Sequence, residues 1–167
     1  VWPILQSFGL PATLYVPIDF LDGGPCPIRD THLPPCSWES LQRMADAGLD
    51  LGSHTWSHPD LRTIDGPALE REIRDSRREL EARLGHPVRS FCYPRGLFTE
   101  AAGEAVLRTY DLGTVGGGRR YRPHTPRHRV PRTSIRRGDD LSVLKQLVAK
   151  RFWLEEVLAD TARQVLA

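Results

Sequence analysis

Short apolar runs, bounded by Gly or Pro and separated by longer amphipathic stretches, constrain this chain's fold more than any other feature. Five such runs read as strands: residues 12–16, 49–52, 88–93, 112–115 and 129–135. They are shorter than ordinary helices and carry turn residues at their ends. The stretches between them have helical periodicity. Ser37 is an N-cap residue ahead of 38–47, and Gly48 stops that helix. Asp65-Gly66-Pro67 opens the next helix, with Pro at a first-turn position. There Leu69, Ile73, Leu80 and Leu84 form one apolar stripe, and Arg and Glu residues cover the opposite face. Residues 99–109 read as a further helix. Strands alternating with helices predict an α/β fold, with parallel strands and the helices outside them. Residues 1–8 read as a helix with Trp2, Leu5 and Phe8 on its inner side. Residues 139–150 and 153–166 read as two amphipathic helices at the C-terminal end, from about 140 to 167.

With 167 residues, 40% of them hydrophobic and 26% charged, the chain suits one domain, 1–167, with a real core. A net charge of +2 selects no particular partner, and no run is long and apolar enough to span a membrane. Arg119, Arg120, Arg122, Arg127 and Arg129 surround Tyr121 in a loop, either as a solvated surface or as a rim for an anionic glycan. With no recognised module and a nearly balanced charge, a nucleic-acid partner is not expected. Cys26 and Cys36 share a loop rich in Pro and Gly. They either pair, in an oxidising compartment, or stay free thiols. Cys92 lies between Phe91 and Tyr93 and is expected to be buried and unpaired. Both a cytoplasmic and an exported location stay open.

The chemistry-bearing stretch is Leu49-Asp50-Leu51-Gly52-Ser53-His54-Thr55-Trp56-Ser57-His58-Pro59-Asp60-Leu61. On a helical turn, two histidines four apart would share a face, with Cβ atoms roughly 5–6 Å apart. Two imidazoles so placed can reach one metal ion, and a catalytic zinc commonly takes three protein ligands and leaves a position open. Pro59 limits any helix here to a single turn. The competing reading of the spacing alone is two unrelated loop histidines.

Gly52-Ser53-His54-Thr55-Trp56-Ser57-His58-Pro59-Asp60-Leu61 resembles the histidine motif of the polysaccharide deacetylases, the NodB-homology carbohydrate esterases. Gly9-Leu10-Pro11-Ala12-Thr13-Leu14-Tyr15-Val16-Pro17 is similar to that family's second strand, and Leu80-Glu81-Ala82-Arg83-Leu84-Gly85 to the end of the helix after the histidines. Phe91-Cys92-Tyr93-Pro94-Arg95-Gly96 resembles the next motif in its aromatic-rich variant, and the likeness extends to about Ile135. It implies a distorted (β/α) barrel. It also implies a metal-dependent hydrolase removing N-acetyl groups, with O-acetyl esters as the alternative, from an acetylated glycan. The alternative function is a non-catalytic carbohydrate-binding relative. A glycoside hydrolase would need two carboxylates at strand ends, whereas Asp50 and Asp111 fall near strand starts.

The resemblance makes His54 and His58 the metal ligands, with zinc as the expected ion and cobalt or manganese as alternatives. It places a Thr-Phe-Asp-Asp-Gly motif, holding the base and third ligand, on a first strand that would precede Val1. The chain contains no such motif, so the expectation is an N-terminally incomplete barrel lacking that strand, and a fragment of low activity. Arg132, in Val130-Pro131-Arg132, resembles an arginine that could supply the guanidinium absent from the Tyr93 motif; a surface arginine is the competing reading. A backbone N–H near Tyr93 is the expected oxyanion donor. Trp56, Tyr93, Pro94 and Arg95 are the expected substrate contacts, with Trp56 or Tyr93 as an aromatic wall. His128 is at best a weak stand-in for the family's general acid.

Overall fold

Five short strands, β1 (Thr13–Val16), β2 (Asp50–Ser53), β3 (Ser90–Cys92), β4 (Leu112–Gly116) and β5 (Val130–Arg132), pair in chain order into one sheet. Every pairing is parallel. The computed structural model describes residues 1–23, 35–117, 121–136 and 138–148. Cys26, Arg119, Arg120 and the helix expected at 153–166 lie outside the described residues. An all-parallel sheet whose strands follow one another in order is an arc of a (β/α) barrel, the α/β architecture the sequence predicts. In such a barrel the active-site loops gather beyond the carboxyl ends of the strands.

Local chemistry explains the helices. In α2 (Trp38–Asp46), Ser37 Oγ accepts the Ser40 N–H at 3.1 Å. In α5 (Glu100–Thr109), Thr99 Oγ1 accepts the Ala102 N–H at 3.2 Å. This helix buries Ala102, Gly103, Ala105 and Val106, side chains small enough to bring it close to the sheet. The long helical stretch starts as α3 (Gly66–Glu70), widens into a π-turn (Arg71–Asp75), and continues as α4 (Ser76–Leu84). Gly85, at φ 64°, ends it in the left-handed conformation. Its predicted stripe of Leu69, Ile73, Leu80 and Leu84 is buried against the sheet's Leu51, Phe91 and Tyr93 in one core. Among the described residues, no helix is long and apolar enough to cross a membrane.

Two expectations are corrected. The helix α1 (Trp2–Ser7) buries none of its residues, and Phe8 is 75% exposed rather than turned inward. The strand β1 reads as buried in sequence, yet only Val16 is buried in it, because β1 is an edge of the sheet. The C-terminal segment forms α6 (Leu141–Val148).

Candidate metal centre

The histidine segment begins where β2 ends, at the carboxyl edge of the sheet. The first departure from expectation is its backbone. His54 and His58 are not joined by a helical turn: Thr55 has φ 73° and His58 φ 61°, both left-handed. For a β-branched residue such as Thr55 this conformation is an outlier, costing on the order of 1–3 kcal/mol. The surroundings hold it in place. Thr55 is fully buried, and its Oγ1 accepts the His58 N–H at 2.9 Å. The chain after β1 docks alongside, with Asp19 N–H donating to the Trp56 carbonyl at 2.9 Å and Ile18 N–H to that of Thr55 at 3.4 Å. This loop brings the two imidazoles together edge to face, with ring centroids 4.8 Å apart.

The hydrogen bonds select the tautomer of His54. Its Nδ1 lies 2.6 Å from the Cys92 carbonyl oxygen, which can only accept, so Nδ1 carries the proton. Burial depresses the pKa of this ring to about 4, leaving Nε2 with an open lone pair at neutral pH. A backbone carbonyl on the far nitrogen is the usual support for a metal-binding histidine. His58 is held below its ordinary pKa by burial and by the nearby charge of Arg95. Its buried Nδ1 has no hydrogen-bond partner among the described residues, and Phe20 flanks its ring with centroids 5.7 Å apart. A neutral imidazole with a free lone pair beside a second ring with an orphaned nitrogen fits a divalent ion of the zinc type. Among the described residues, no cluster of three His, Cys, Asp or Glu side chains is poised for a metal.

Arg132, at the end of β5, is brought to the same edge. Its Nη2 lies 2.8 Å from Cys92 Sγ, and its Cζ sits 5.1 Å from the centroid of the Tyr15 ring. Its charge also contributes to lowering the His54 pKa. Trp56 is half-buried, with Arg71 Cζ 5.0 Å from its ring centroid. Arg95 is exposed, at φ 56°, in the turn after β3.

Tyr93 and Pro94 require correction. The Tyr93 ring is buried, stacked on Phe98 with centroids 4.1 Å apart, and belongs to the core rather than to a sugar-facing wall. Its own N–H donates to the Thr114 carbonyl at 3.2 Å as part of the sheet. Pro94 is fully buried beneath the same turn. His128 precedes β5 and so lies at the opposite end of the sheet from His54. Asp50 likewise sits at the amino end of β2, where it accepts from Thr13 Oγ1 at 2.8 Å.

Two participants carried no sequence signal strong enough to single them out. Tyr15 projects from β1 over Gly52, its partner on β2. Glu72 is buried, and its Oε2 accepts the N–H groups of Trp56 at 2.8 Å and Ser57 at 2.9 Å, while Oε1 accepts Ser57 Oγ–H at 2.7 Å.

The family model for polysaccharide deacetylase matches residues 1–113, and the chain belongs to that family. An uncharacterized 30.6 kDa protein of Geobacillus stearothermophilus is 30% identical over 101 residues, 58% of this chain and 32% of that protein. Among solved structures, the Streptococcus pyogenes deacetylase PplD in complex with acetate superposes with a TM-score of 0.75 at 21% identity, covering 87% of this chain and 62% of that one. A polysaccharide deacetylase from Bacillus cereus, BC0361, superposes with a TM-score of 0.73 at 22% identity, covering 88% of this chain and 46% of that one. The chain therefore spans only part of these relatives, about a third in the curated case.

Proposed function

We propose that this chain carries the histidine half of the metal centre of a hydrolase that removes acetyl groups from a glycan, N-acetyl groups first. The observation that carries this reading is the imidazole pair: His54 with Nδ1 committed to Cys92, its ring centroid 4.8 Å from that of His58, whose buried Nδ1 has no hydrogen-bond partner among the described residues. Its place beyond the carboxyl ends of parallel strands supports the reading, as does family membership.

His54 and His58 would hold the ion, with zinc the expected metal and cobalt or manganese able to replace it. When bound, the ion supplies a Lewis acid that polarises the acyl carbonyl and acidifies a water. The chain's own residues set the stage around it. Arg132, exposed at the end of β5 with its Nη2 2.8 Å from Cys92 Sγ, would offer a guanidinium to orient a carboxylate base. Half-buried Trp56, between the two histidines in sequence, and exposed Arg95, whose charge lowers the His58 pKa, are the chain's candidate contacts for the sugar. Acetate, the ligand of the PplD structure, is the product such a reaction releases.

The test is acetate release from N-acetylated oligosaccharides with added zinc, cobalt or manganese, metal content being measured alongside. A longer chain carrying the expected aspartate motif should be active, and the 167-residue chain nearly inactive. His54→Ala or His58→Ala in the longer chain should abolish both metal retention and acetate release. Full activity in either variant would overturn the metal assignment, and sugar binding without acetate release in the longer chain would favour a non-catalytic role.

A further inference from the structure

Glu72 stands on what the sequence marks as the solvated face of a helix, yet it is only 6% exposed. It meets the histidine loop at the point where the helix changes pitch. The π-turn Arg71–Asp75 shifts the carbonyl register, and two hydroxyls take up the displaced acceptors. Tyr110 Oη donates to the Ile73 carbonyl at 2.6 Å, and Ser76 Oγ lies 2.8 Å from the Glu72 carbonyl. Ser76 Oγ also lies 2.8 Å from Oγ of Ser53, the residue immediately before His54. The bulge is thus pinned to the last residue of β2, which leads into the histidine loop, and the Glu72 carboxylate faces the loop between the two histidines.

All three contacts of that carboxylate fall on the loop: the two successive N–H groups of Trp56 and Ser57, and the Ser57 hydroxyl. Thr55, with its left-handed backbone, immediately precedes them, and His58, also left-handed, immediately follows. Without an acceptor, two adjacent N–H groups would have to find water or turn the loop. We propose that Glu72 is a positioning residue for the metal centre, fixing the loop so that His54 and His58 face each other. This inference deepens the metal reading above and rests on it.

The test uses the 167-residue chain with Glu72→Ala, Glu72→Asp and Glu72→Gln, and Ile73→Val as a control that disturbs the same turn without touching the loop. Two signals are followed by NMR: the side-chain nitrogens of His54 and His58 in the metal-free protein, and their displacement during a cobalt(II) titration. Glu72→Ala should shift both imidazole signals and weaken cobalt binding by about 10- to 100-fold, the usual range for removing a residue that orients a metal ligand. Glu72→Asp keeps the charge but loses reach and should behave like Glu72→Ala. Glu72→Gln keeps an acceptor at full reach and should stay within about fivefold of the parent. Ile73→Val should lower the melting temperature but leave affinity and imidazole signals unchanged. Should Glu72→Ala not fold, the contrast between Asp and Gln decides. Unchanged signals and affinity in Glu72→Asp would overturn the inference. If cobalt shifts neither imidazole in the parent, the metal reading falls. The metal-free imidazole signals then decide alone whether Glu72 sets the ring positions.

Discussion

Replacing Gly52 by Ala tests the packing on which the site is built. A Cβ at Gly52 would lie 2.4 Å from both Cδ1 and Cε1 of Tyr15 and 2.8 Å from Ser90 Oγ. Carbon atoms in favourable contact stand about 3.5–4.0 Å apart, so the Tyr15 ring would have to retreat by more than about 1 Å. Ser90 Oγ can rotate away, since it has no hydrogen-bond partner to lose among the described residues. The ring has less freedom, because it is paired across the strands at Gly52 and capped by Arg132. Overpacking of this kind costs about 1–3 kcal/mol. We expect a loss of about 2 kcal/mol for Gly52→Ala in urea unfolding followed by Trp fluorescence and circular dichroism, the two probes checking for a single transition. Tyr15→Ala removes the colliding ring, so the double variant should be more stable than the sum of the single effects by about 1 kcal/mol or more. Gly52→Ala within about 0.5 kcal/mol of the parent, or strict additivity in the double variant, would refute the reasoning.

Three other outcomes follow from the structure. His54 titrates near 6.5 when unfolded and near 4 when folded, so between these values the unfolded chain holds the extra proton and stability falls as pH falls. At about 1.4 kcal/mol per pH unit the loss is on the order of 3 kcal/mol, complete near pH 4. The difference between parent and His54→Asn across urea midpoints from pH 7.5 to 4 should reveal it. Burial raises the pKa of the Cys92 thiol, so it should resist a bulky thiol reagent at pH 8 until urea unfolds the chain; rapid labelling of the native protein would contradict its placement. Tyr110→Phe removes the 2.6 Å bond to the Ile73 carbonyl and should cost about 1–2 kcal/mol, with no change in that range arguing against the π-turn's support.

The sheet was legible because each strand is a short apolar run between punctuating residues. The run read at 112–115 became Leu112–Gly116, and the one at 49–52 became Asp50–Ser53. The histidine pair was legible as a motif but not as geometry. Nothing local marks Thr55 for a left-handed backbone; the loop's distant partners are the Ile18 N–H, which donates to the Thr55 carbonyl, and the Glu72 carboxylate, which accepts from the next two residues, Trp56 and Ser57. Glu72 was hidden for a related reason. A helical wheel at 3.6 residues per turn sets it at the edge of the apolar stripe, three residues after Leu69 and level with solvated charges such as Glu79, and nothing in the sequence shows that the histidine loop meets it there. Tyr93 and Pro94 misled because a motif gives the order of residues but not which side of the sheet each takes.

The order of the strands also bears on how the molecule assembles. Partners across the sheet come closer in sequence toward the C-terminal side: Thr13 and Asp50 are 37 residues apart, whereas Thr114 and Val130 are separated by 130 − 114 = 16. The entropy of closing the longer loop exceeds that of the shorter by about 0.7 kcal/mol, a kinetic bias of about threefold. Folding should therefore gain its first native contacts around β4 and β5 and reach β1 and β2 later. The histidine loop is tied to β1 by the His54 N–H bond to the Val16 carbonyl, so the chemistry-bearing corner should be completed toward the end. Substitutions at Val106 would then slow refolding, while those at Val16 would mainly hasten unfolding.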